Sequence, residues 1–170
     1  MMKYKHEKDM YPDVCKWLRQ ILESRFRDSK IEVHNLSSSY LAKFISAHKI
    51  GNLPPEWITW DIKVDIVGLI LRSDKTTLLT FVECKNSQLT LAHLSQTLGY
   101  SRIALPFLSF LLSPFGLSSS LSSLLQEYKR TDILEYYWKK GELPRKIIVA
   151  KWDTNSCNID RNSIIGGSNL

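Results

Sequence analysis

The sequence predicts an α/β protein, with a mixed central β-sheet flanked by helices in the order α-β-β-β-α-β-α-β. Two segments rich in apolar and β-branched residues, Ile62–Leu71 and Thr77–Lys85, are joined by a short connection and predict a hairpin. Stretches whose apolar residues recur with helical spacing precede and follow this hairpin. Because amphipathic helices bury their apolar stripe against a sheet, we expect a layered architecture.

Four elements are predicted before the hairpin. Apolar residues at helical spacing predict a helix from Glu7 to about Arg27, with Pro12 in its first turn, where the missing N–H matters least. Alternating apolar and polar residues predict a short strand over Ile31–Leu36, and Ser37–Ile50 is predicted to be a short helix. The prolines within Gly51–Glu56 predict a loop.

Four further elements are predicted after the hairpin. Gln88–Ala104 has a helical pattern, and the apolar run Phe107–Leu112 predicts a buried strand. Ser118–Trp138 is predicted to be a second long helix, because leucines recur along one stripe and serines are available as N-caps. Lys146–Trp152 predicts a last strand, and the polar chain after Asp153 predicts a loose tail.

Length and composition bound the organisation. The 170 residues are 44% hydrophobic and 24% charged, which is ordinary for a globular domain and excludes collagen-like, coiled-coil and globally disordered chains. We therefore expect one domain over residues 1–153 and a polar C-terminal tail over residues 154–170. The net charge of +6 is compatible with a nucleic-acid partner.

Cysteine use and hydropathy bear on the compartment. Cys15, Cys84 and Cys157 are widely spaced, which predicts no disulfide framework and is consistent with a reducing cytoplasm. The first ten residues, MMKYKHEKDM, are charged throughout and do not read as a signal peptide. The longest apolar stretch, Ile103–Leu117, is short and interrupted by prolines, so we expect no membrane span.

The hairpin brings two acidic residues together. If the strands pair across the loop Arg72–Thr76 without a slip, Asp65 lies opposite Glu83, and Lys85 projects from the same face of the second strand as Glu83. A slip of one residue would instead put Asp65 opposite the position between Glu83 and Lys85. In the unslipped register Asp65 shares the face of Glu83 and Lys85, so the three side chains are neighbours at one end of the hairpin.

Opposed carboxylates in apolar strands need compensation. They repel each other, and burying them is costly unless a cation is present. Mg²⁺ prefers carboxylate oxygens, and a neighbouring lysine would then hold or activate a water or stabilise charge on a phosphate. The alternative is a plain cross-strand charge cluster, in which Asp65 and Glu83 pair with Lys63 and Lys85. Asp61 is an alternative metal ligand on the same strand face as Asp65.

The arrangement of these residues resembles the PD-(D/E)XK nuclease superfamily. The resemblance rests on Val64-Asp65 followed, one strand later, by Glu83-Cys84-Lys85 and then by a helix. Val64 stands where the family usually has proline. The order of elements is also similar, and the resemblance extends over most of the chain.

The resemblance implies a restriction-endonuclease-like fold and a Mg²⁺-dependent DNA endonuclease or exonuclease, with Mn²⁺ as a substitute. Asp65 and Glu83 would bind the metal, the backbone carbonyl of Cys84 would be an extra ligand, and Lys85 would orient or activate the attacking water. The DNA substrate could be a duplex, a junction or a single strand. Small stand-alone members include junction resolvases and restriction enzymes, many of which are dimers, so a homodimer is expected.

Two further features agree with the resemblance. Gln96 and Tyr100 are four residues apart on a predicted helix and are similar to the Gln-xxx-Tyr motif of RecB-type nucleases, which would position the strand or Lys85. An acidic residue on the first helix often completes the metal site in the family, and Glu7 is the candidate, with Asp9 second. The alternative for the pair is that Tyr100 is a core residue and Gln96 its solvated neighbour. The alternative for Glu7 is a solvated helix end.

Other kinds of site have weaker support in the sequence. The histidines lack zinc-site spacing, and no phosphate-binding glycine loop is present. Trp57 and Trp60 flank the loop before the hairpin and would either stack on bases or anchor the loop. The alternative functions are a non-catalytic nucleic-acid-binding protein on the same fold and an unrelated α/β interaction protein.

Overall fold

A six-stranded mixed β-sheet forms the centre of the molecule, as seen in a computed structural model that describes residues 3–167. The strands are β1 (Lys30–Asn35), β2 (Ile66–Leu71), β3 (Thr77–Cys84), β4 (Leu108–Ser113), β5 (Glu135–Tyr137), β6 (Arg145–Lys146), β7 (Ile148–Asp153) and β8 (Asn158–Ile159). The α-helices are α1 (Tyr11–Arg25), α2 (Leu41–Ala47), α3 (Leu91–Ala104) and α4 (Ser119–Ser122). The predicted α/β class is confirmed.

The strand order is β1-β2-β3-β4-β7-β8, and β5 and β6 form a separate small ribbon. β2 is antiparallel to both of its neighbours, β1 and β3, whereas β3, β4 and β7 are parallel neighbours. The carboxyl ends of these three parallel strands therefore meet at one edge of the sheet, which is where ligands bind in many open α/β sheets.

Helix α1 covers one face of the sheet. It begins next to Pro12, which occupies its first turn as predicted, and it buries Val14, Leu18 and Leu22. These side chains pack with residues from the facing side of the central strands, among them Val82, Phe110 and Trp152. The predicted N-terminal helix is thus present, but it is shorter: Glu7–Asp9 form a separate 3₁₀ turn and α1 ends at Arg25.

The opposite face carries two apolar clusters. One cluster surrounds Trp60 and includes Val67 and Phe81, and the other surrounds Leu121 and includes Leu111. Because α2 and the 3₁₀ turn Pro55–Thr59 belong to the first and α3 and α4 contribute to the second, both faces of the central strands are covered. Trp60 is therefore a core anchor of its loop, and Trp57 packs partly buried against the same cluster.

The predicted hairpin register is confirmed. Leu71 pairs with Thr77 and Val67 with Phe81, so the unslipped alternative is the observed one. The ladder ends one step later, at Ile66 and Val82. The prediction that a strand begins at Ile62 is wrong, because the chain bends at Asp65 and β2 begins only at the next residue.

The long helix predicted over Ser118–Trp138 is wrong in its second half. Helix α4 passes into a π-helical turn at Ser123–Glu127, and the chain then forms a 3₁₀ turn at Thr131–Leu134. It continues as β5, which pairs with β6. The stripe of leucines is real, but it extends for about two turns only.

The chain after Asp153 is held against β7 rather than loose. β8 pairs with β7, and Val149 and Ile165 form an antiparallel bridge. Other predicted elements are present with altered ends: α2 is shorter than Ser37–Ile50, and α3 begins at Leu91. Within residues 3–167, no helix is both long enough and apolar enough to cross a membrane.

Candidate active site

Four ionisable side chains converge at the carboxyl end of β3. Lys85 follows the last residue of β3, and its ammonium group lies among the carboxylates of Glu7, Asp65 and Glu83. We call this group the Lys85 cluster. The Nζ atom is 3.4 Å from Glu83 Oε2, 3.6 Å from Glu7 Oε1 and 3.9 Å from Asp65 Oδ2. The predicted site residues Glu7, Asp65, Glu83 and Lys85 are therefore brought together.

Asp65 is fixed by both its backbone and its side chain. Its carbonyl accepts a hydrogen bond from the amide of Leu36 at 2.7 Å, just beyond the end of β1. Its Oδ2 accepts from the amide of Cys84 at 2.8 Å, and its Oδ1 accepts from the hydroxyl of Tyr11 at 2.8 Å. The carboxylate thus joins β2, β3 and α1 at one point, which leaves it little rotational freedom.

Glu83 is the most deeply buried carboxylate of the cluster, with 2% of its surface exposed. One oxygen, Oε2, lies near Lys85, while Oε1 is buried without a hydrogen-bond partner among the described residues. Burial and the adjacent charge of Asp65 raise the pKa of Glu83 to about 8. A buried carboxylate oxygen with no donor is costly for folding alone, and it offers a free ligand position.

Lys85 is positioned by the neighbouring strand. Its backbone amide donates to the carbonyl of Leu112 at 2.9 Å, so the residue is held against β4. Burial alone would lower the pKa of Lys85, but the charges of Glu83, Asp65 and Glu7 outweigh it and raise the pKa above its usual value. Lys85 is therefore a protonated hydrogen-bond donor at neutral pH.

Glu7 reaches the cluster from the 3₁₀ turn before α1. The hydroxyl of Tyr11, one helical turn further on, lies 3.3 Å from Glu7 Oε1 and holds it beside Asp65. Asp9, the second candidate, faces its own turn instead, because its Oδ2 accepts from the amides of Lys5 and His6. Of the two acidic residues proposed from sequence, Glu7 is the one that joins the site.

Cys84, the last residue of β3, lies between Glu83 and Lys85 and has a structural role. Its side chain is buried in the core against α1, and its amide donates to Asp65. Burial raises the pKa of its thiol well above the usual value, so the thiol stays protonated. The carbonyl of Cys84 as a metal ligand stays a prediction.

Gln96 and Tyr100 contact each other rather than Lys85. Gln96 Nε2 donates to the hydroxyl of Tyr100 at 3.2 Å on an exposed part of α3. The ring of Tyr100 is partly buried against the core cluster around Trp60. The predicted role of this pair, positioning Lys85 or a bound strand, is thus supported only by their shared helix face.

Two residues near the cluster do not stand out in the sequence as site residues. Tyr11 falls within the apolar spacing that predicts the first helix, yet its hydroxyl links Glu7 and Asp65. His93 lies near enough to Lys85 for that charge, after burial, to lower the pKa of its ring. The available signal was spacing, since Tyr11 is four residues after Glu7 and His93 is three before Gln96 on α3.

The remaining sequence candidates lie outside the cluster. Asp61 and Lys63 are exposed, and the ammonium of Lys63 lies 4.7 Å from the ring centroid of Tyr40. Of the two lysines in the predicted cross-strand charge cluster, it is Lys85 that contacts Asp65 and Glu83. The cluster is also largely buried rather than on an exposed sheet face, since 14% of the Lys85 side chain is exposed.

The residues of the cluster fit a hard divalent cation by their chemistry. Over residues 3–167, no three His, Cys, Asp or Glu side chains are grouped around one point where a metal ion would be held. The carboxylates instead surround the ammonium of Lys85, which occupies the place between them. Asp65 and Glu83 could hold Mg²⁺, with Glu7 as a third ligand, because all three are carboxylates and Glu83 Oε1 is unpartnered.

Comparisons with known proteins give no relatives. No protein-family model matches the chain, and no curated protein or solved structure is significantly similar to it. Any functional conclusion about this chain therefore depends on the Lys85 cluster and its surroundings.

Proposed function

We propose that this protein is a Mg²⁺-dependent deoxyribonuclease that hydrolyses phosphodiester bonds. The observation that carries the proposal is the convergence of Glu7, Asp65 and Glu83 on Lys85 at the edge where β3 and β4 end. Such a charged cluster in an otherwise apolar sheet is costly for folding, which favours a functional reason for it. The resemblance to PD-(D/E)XK nucleases agrees with the same residues.

Each residue of the cluster has a distinct task in this proposal. Asp65 and Glu83 hold the metal ion, which supplies Lewis-acid activation of a phosphate oxygen and a water made acidic by coordination. Lys85 donates hydrogen bonds to the attacking water or to the phosphate, and its raised pKa suits a donor rather than a general base. Tyr11 keeps Asp65 and Glu7 in place through its hydroxyl.

DNA is the proposed partner, as a duplex, a junction or a single strand. The net charge of +6 favours binding to a phosphate backbone. We place the activity in the cytoplasm, in keeping with three cysteines that are unpaired. A homodimer, with one site in each protomer, would allow both strands of a duplex or junction to be cut.

The alternative function is a non-catalytic nucleic-acid-binding protein on the same fold. One observation favours it: Lys85 already lies within 4 Å of all three carboxylates and compensates part of their charge without a metal. Under this alternative the cluster is a buried ion-pair network that stabilises the end of the hairpin. DNA binding would then require no divalent cation.

A cleavage assay with a matched pair of variants distinguishes the two functions. Labelled linear, single-stranded, flapped and four-way-junction DNAs are incubated with wild-type protein, Asp65→Asn and Asp61→Asn, with Mg²⁺, Mn²⁺ or EDTA. Asp61 is exposed and four residues from Asp65, so it controls for the loss of one negative charge. We expect Mg²⁺-dependent cutting by wild type and Asp61→Asn, and a loss of roughly 100-fold or more in Asp65→Asn.

Folding of Asp65→Asn must be verified because its carboxylate joins three elements. A circular dichroism melt serves this purpose, and Glu83→Gln is a second variant with the same expected loss of cutting. DNA binding by wild type that is equal with Mg²⁺ and EDTA, without cutting of any substrate, would favour the non-catalytic alternative. If the wild-type protein neither cuts nor binds any of these DNAs, both proposed functions are wrong.

A further inference from the structure

A groove opens at the edge of the sheet where the parallel strands β3, β4 and β7 end, which is also the edge of the Lys85 cluster. It encloses about 590 Å³, which falls within the roughly 300–1,000 Å³ of small-ligand sites. Asn86, the residue that follows Lys85, lines it, and the end of β7 and the segments that follow β4 and β7 form much of the rest of its lining. We call it the Phe115 groove, after the aromatic residue that lines it.

The floor of the Phe115 groove is held in place by a hydrogen-bonded pair. Trp152 Nε1 donates to the hydroxyl of Tyr4 at 3.1 Å, and that hydroxyl donates to Asp13 Oδ2 at 2.8 Å. Both aromatic residues are almost fully buried and belong to the core against α1. The groove is therefore a preformed feature of the fold.

The charges that line the groove cancel. Its walls contain the cations Lys3 and Lys151 and the anions Asp153 and Asp160. Lys3 is, in addition, paired with Asp13 at 2.9 Å. Such a lining does not favour a phosphate group, which needs an excess of positive charge. It suits a neutral, polar ligand.

The uncharged walls match a nucleobase. Phe115 has 42% of its surface exposed at the groove, whereas most large apolar residues of this protein are buried, so its ring is available for stacking. Asn86, Thr154 and Asn155 supply amide and hydroxyl groups, which pair with the donors and acceptors on base edges. A flat ring with a polar edge would satisfy both kinds of wall.

We propose that the Phe115 groove holds an unpaired base of the DNA strand whose phosphate lies at the Lys85 cluster. The inference rests on the proposed function, because it assigns the groove to the nucleotide next to the phosphate that is cut. A base inside a duplex is stacked and paired and cannot enter the groove without being extruded. The substrate class is therefore single-stranded DNA, including the unpaired arm of a flap.

The test measures binding in EDTA, so that it is independent of cleavage. The anisotropy of a short fluorescent oligothymidylate is titrated with wild type, Phe115→Ala and Phe115→Tyr, and with Tyr128→Ala as the control. Tyr128 is 74% exposed and does not line the groove, so it reports non-specific stacking. A blunt duplex of the same strand length is the competing substrate.

We expect Phe115→Ala to raise the Kd for the single strand by about 10-fold or more, as when one base–aromatic stack is lost. Phe115→Tyr should restore binding, and Tyr128→Ala should bind like wild type. Equal binding by Phe115→Ala and wild type, or tighter binding of the blunt duplex, would overturn the proposal. If wild type shows metal-dependent cutting but Phe115→Ala binds the single strand as wild type does, the groove proposal is wrong and the nuclease proposal stands. If Phe115→Ala loses binding but wild type cuts no substrate, the groove is a base-binding site and the nuclease proposal is wrong.

Discussion

At the residue scale, Glu83 links the candidate site to the stability of the fold. Its pKa is raised from an ordinary 4.5 to about 8, chiefly by burial and then by Asp65. The folded state therefore keeps the proton that the unfolded state loses between these pH values. The contribution of Glu83 to stability is fully present below pH 4.5 and is lost as the pH rises towards about 8.

Glu83→Gln should remove this pH dependence. The amide is nearly the same size and stays neutral, so in EDTA the variant should be more stable than wild type near pH 8, by about 1–3 kcal/mol. Below pH 4.5 the two proteins should be equally stable. Urea denaturation across this range measures the difference. The control is Glu56→Gln, at an exposed glutamate, which should follow the wild-type profile.

Tyr11→Phe tests whether the hydroxyl between Glu7 and Asp65 organises the cluster. The variant keeps the buried ring but leaves Asp65 Oδ1 without its donor at 2.8 Å. We expect a loss of about 1.5–3 kcal/mol in the free energy of unfolding, as for hydrogen bonds to charged groups. The exposed Tyr128→Phe should be neutral in the same denaturation experiment. If the free energy of unfolding of Tyr11→Phe equals that of wild type, the hydrogen bond from the Cys84 amide is enough to hold Asp65.

The residues of the site could be predicted in part. Asp65, Glu83 and Lys85 follow from the hairpin, because loop length fixes register and alternation fixes the face. Glu7 could be predicted only from the resemblance to the nuclease superfamily, because its contact with Lys85 depends on how the start of α1 packs against the sheet. The link made by Tyr11 could not be predicted, because its ring fits the apolar spacing of a helix and the carboxylate that its hydroxyl contacts lies 54 positions away.

At the element scale, the sequence pattern predicts an element correctly when the residues that stabilise it are close to it along the chain. The β2–β3 hairpin was predicted with its register because both strands and their loop are adjacent in sequence. The predicted helix over Ser118–Trp138 was wrong because Glu135–Tyr137 forms a strand that pairs with β6. Nothing in the sequence between the two strands indicates that they pair. The buried Tyr136, whose hydroxyl donates to the carbonyl of Pro106 at 2.9 Å, holds this strand in place.

The packing of α1 on β2 depends on a glycine. A Cβ atom at Gly68 would lie 2.8 Å from Leu22 Cδ1 and 3.3 Å from Leu18 Cδ2, both in fully buried side chains. We expect Gly68→Ala to destabilise the protein by about 1–3 kcal/mol through overpacking. Gly99→Ala, in α3 where a Cβ meets nothing within 4 Å, should stabilise it by up to about 1 kcal/mol. Urea denaturation of both variants measures the contrast.

At the scale of the whole molecule, net charge and local charge differ. The chain carries +6, but the carboxylates outnumber the lysine in the Lys85 cluster. A phosphate backbone would therefore be attracted by the surface and repelled at the site until a cation binds. This division predicts that the effects of salt and of divalent metal on DNA binding are separable.

DNA affinity should fall steeply as monovalent salt rises, with a linear dependence of log K on log salt. Because a divalent cation would lower repulsion at the cluster, adding Ca²⁺ at constant ionic strength should tighten binding by wild type. Glu83→Gln should lose most of that gain while keeping the slope with monovalent salt. Anisotropy titrations with a labelled single strand give both quantities. If Ca²⁺ tightens DNA binding equally in wild type and Glu83→Gln, the Lys85 cluster does not contribute to DNA binding through a divalent cation.

The hydrogen bond from the Cys84 amide to Asp65 has a consequence for the opening of the sheet. Amides at the end of a strand ordinarily exchange with solvent deuterium quickly, because the end frays. Here a side chain, rather than a backbone carbonyl, accepts the amide at the end of β3, so Cys84 should exchange slowly for its position. Its protection in Asp65→Asn would report, in a protein without any substrate, how tightly the candidate site fastens the hairpin.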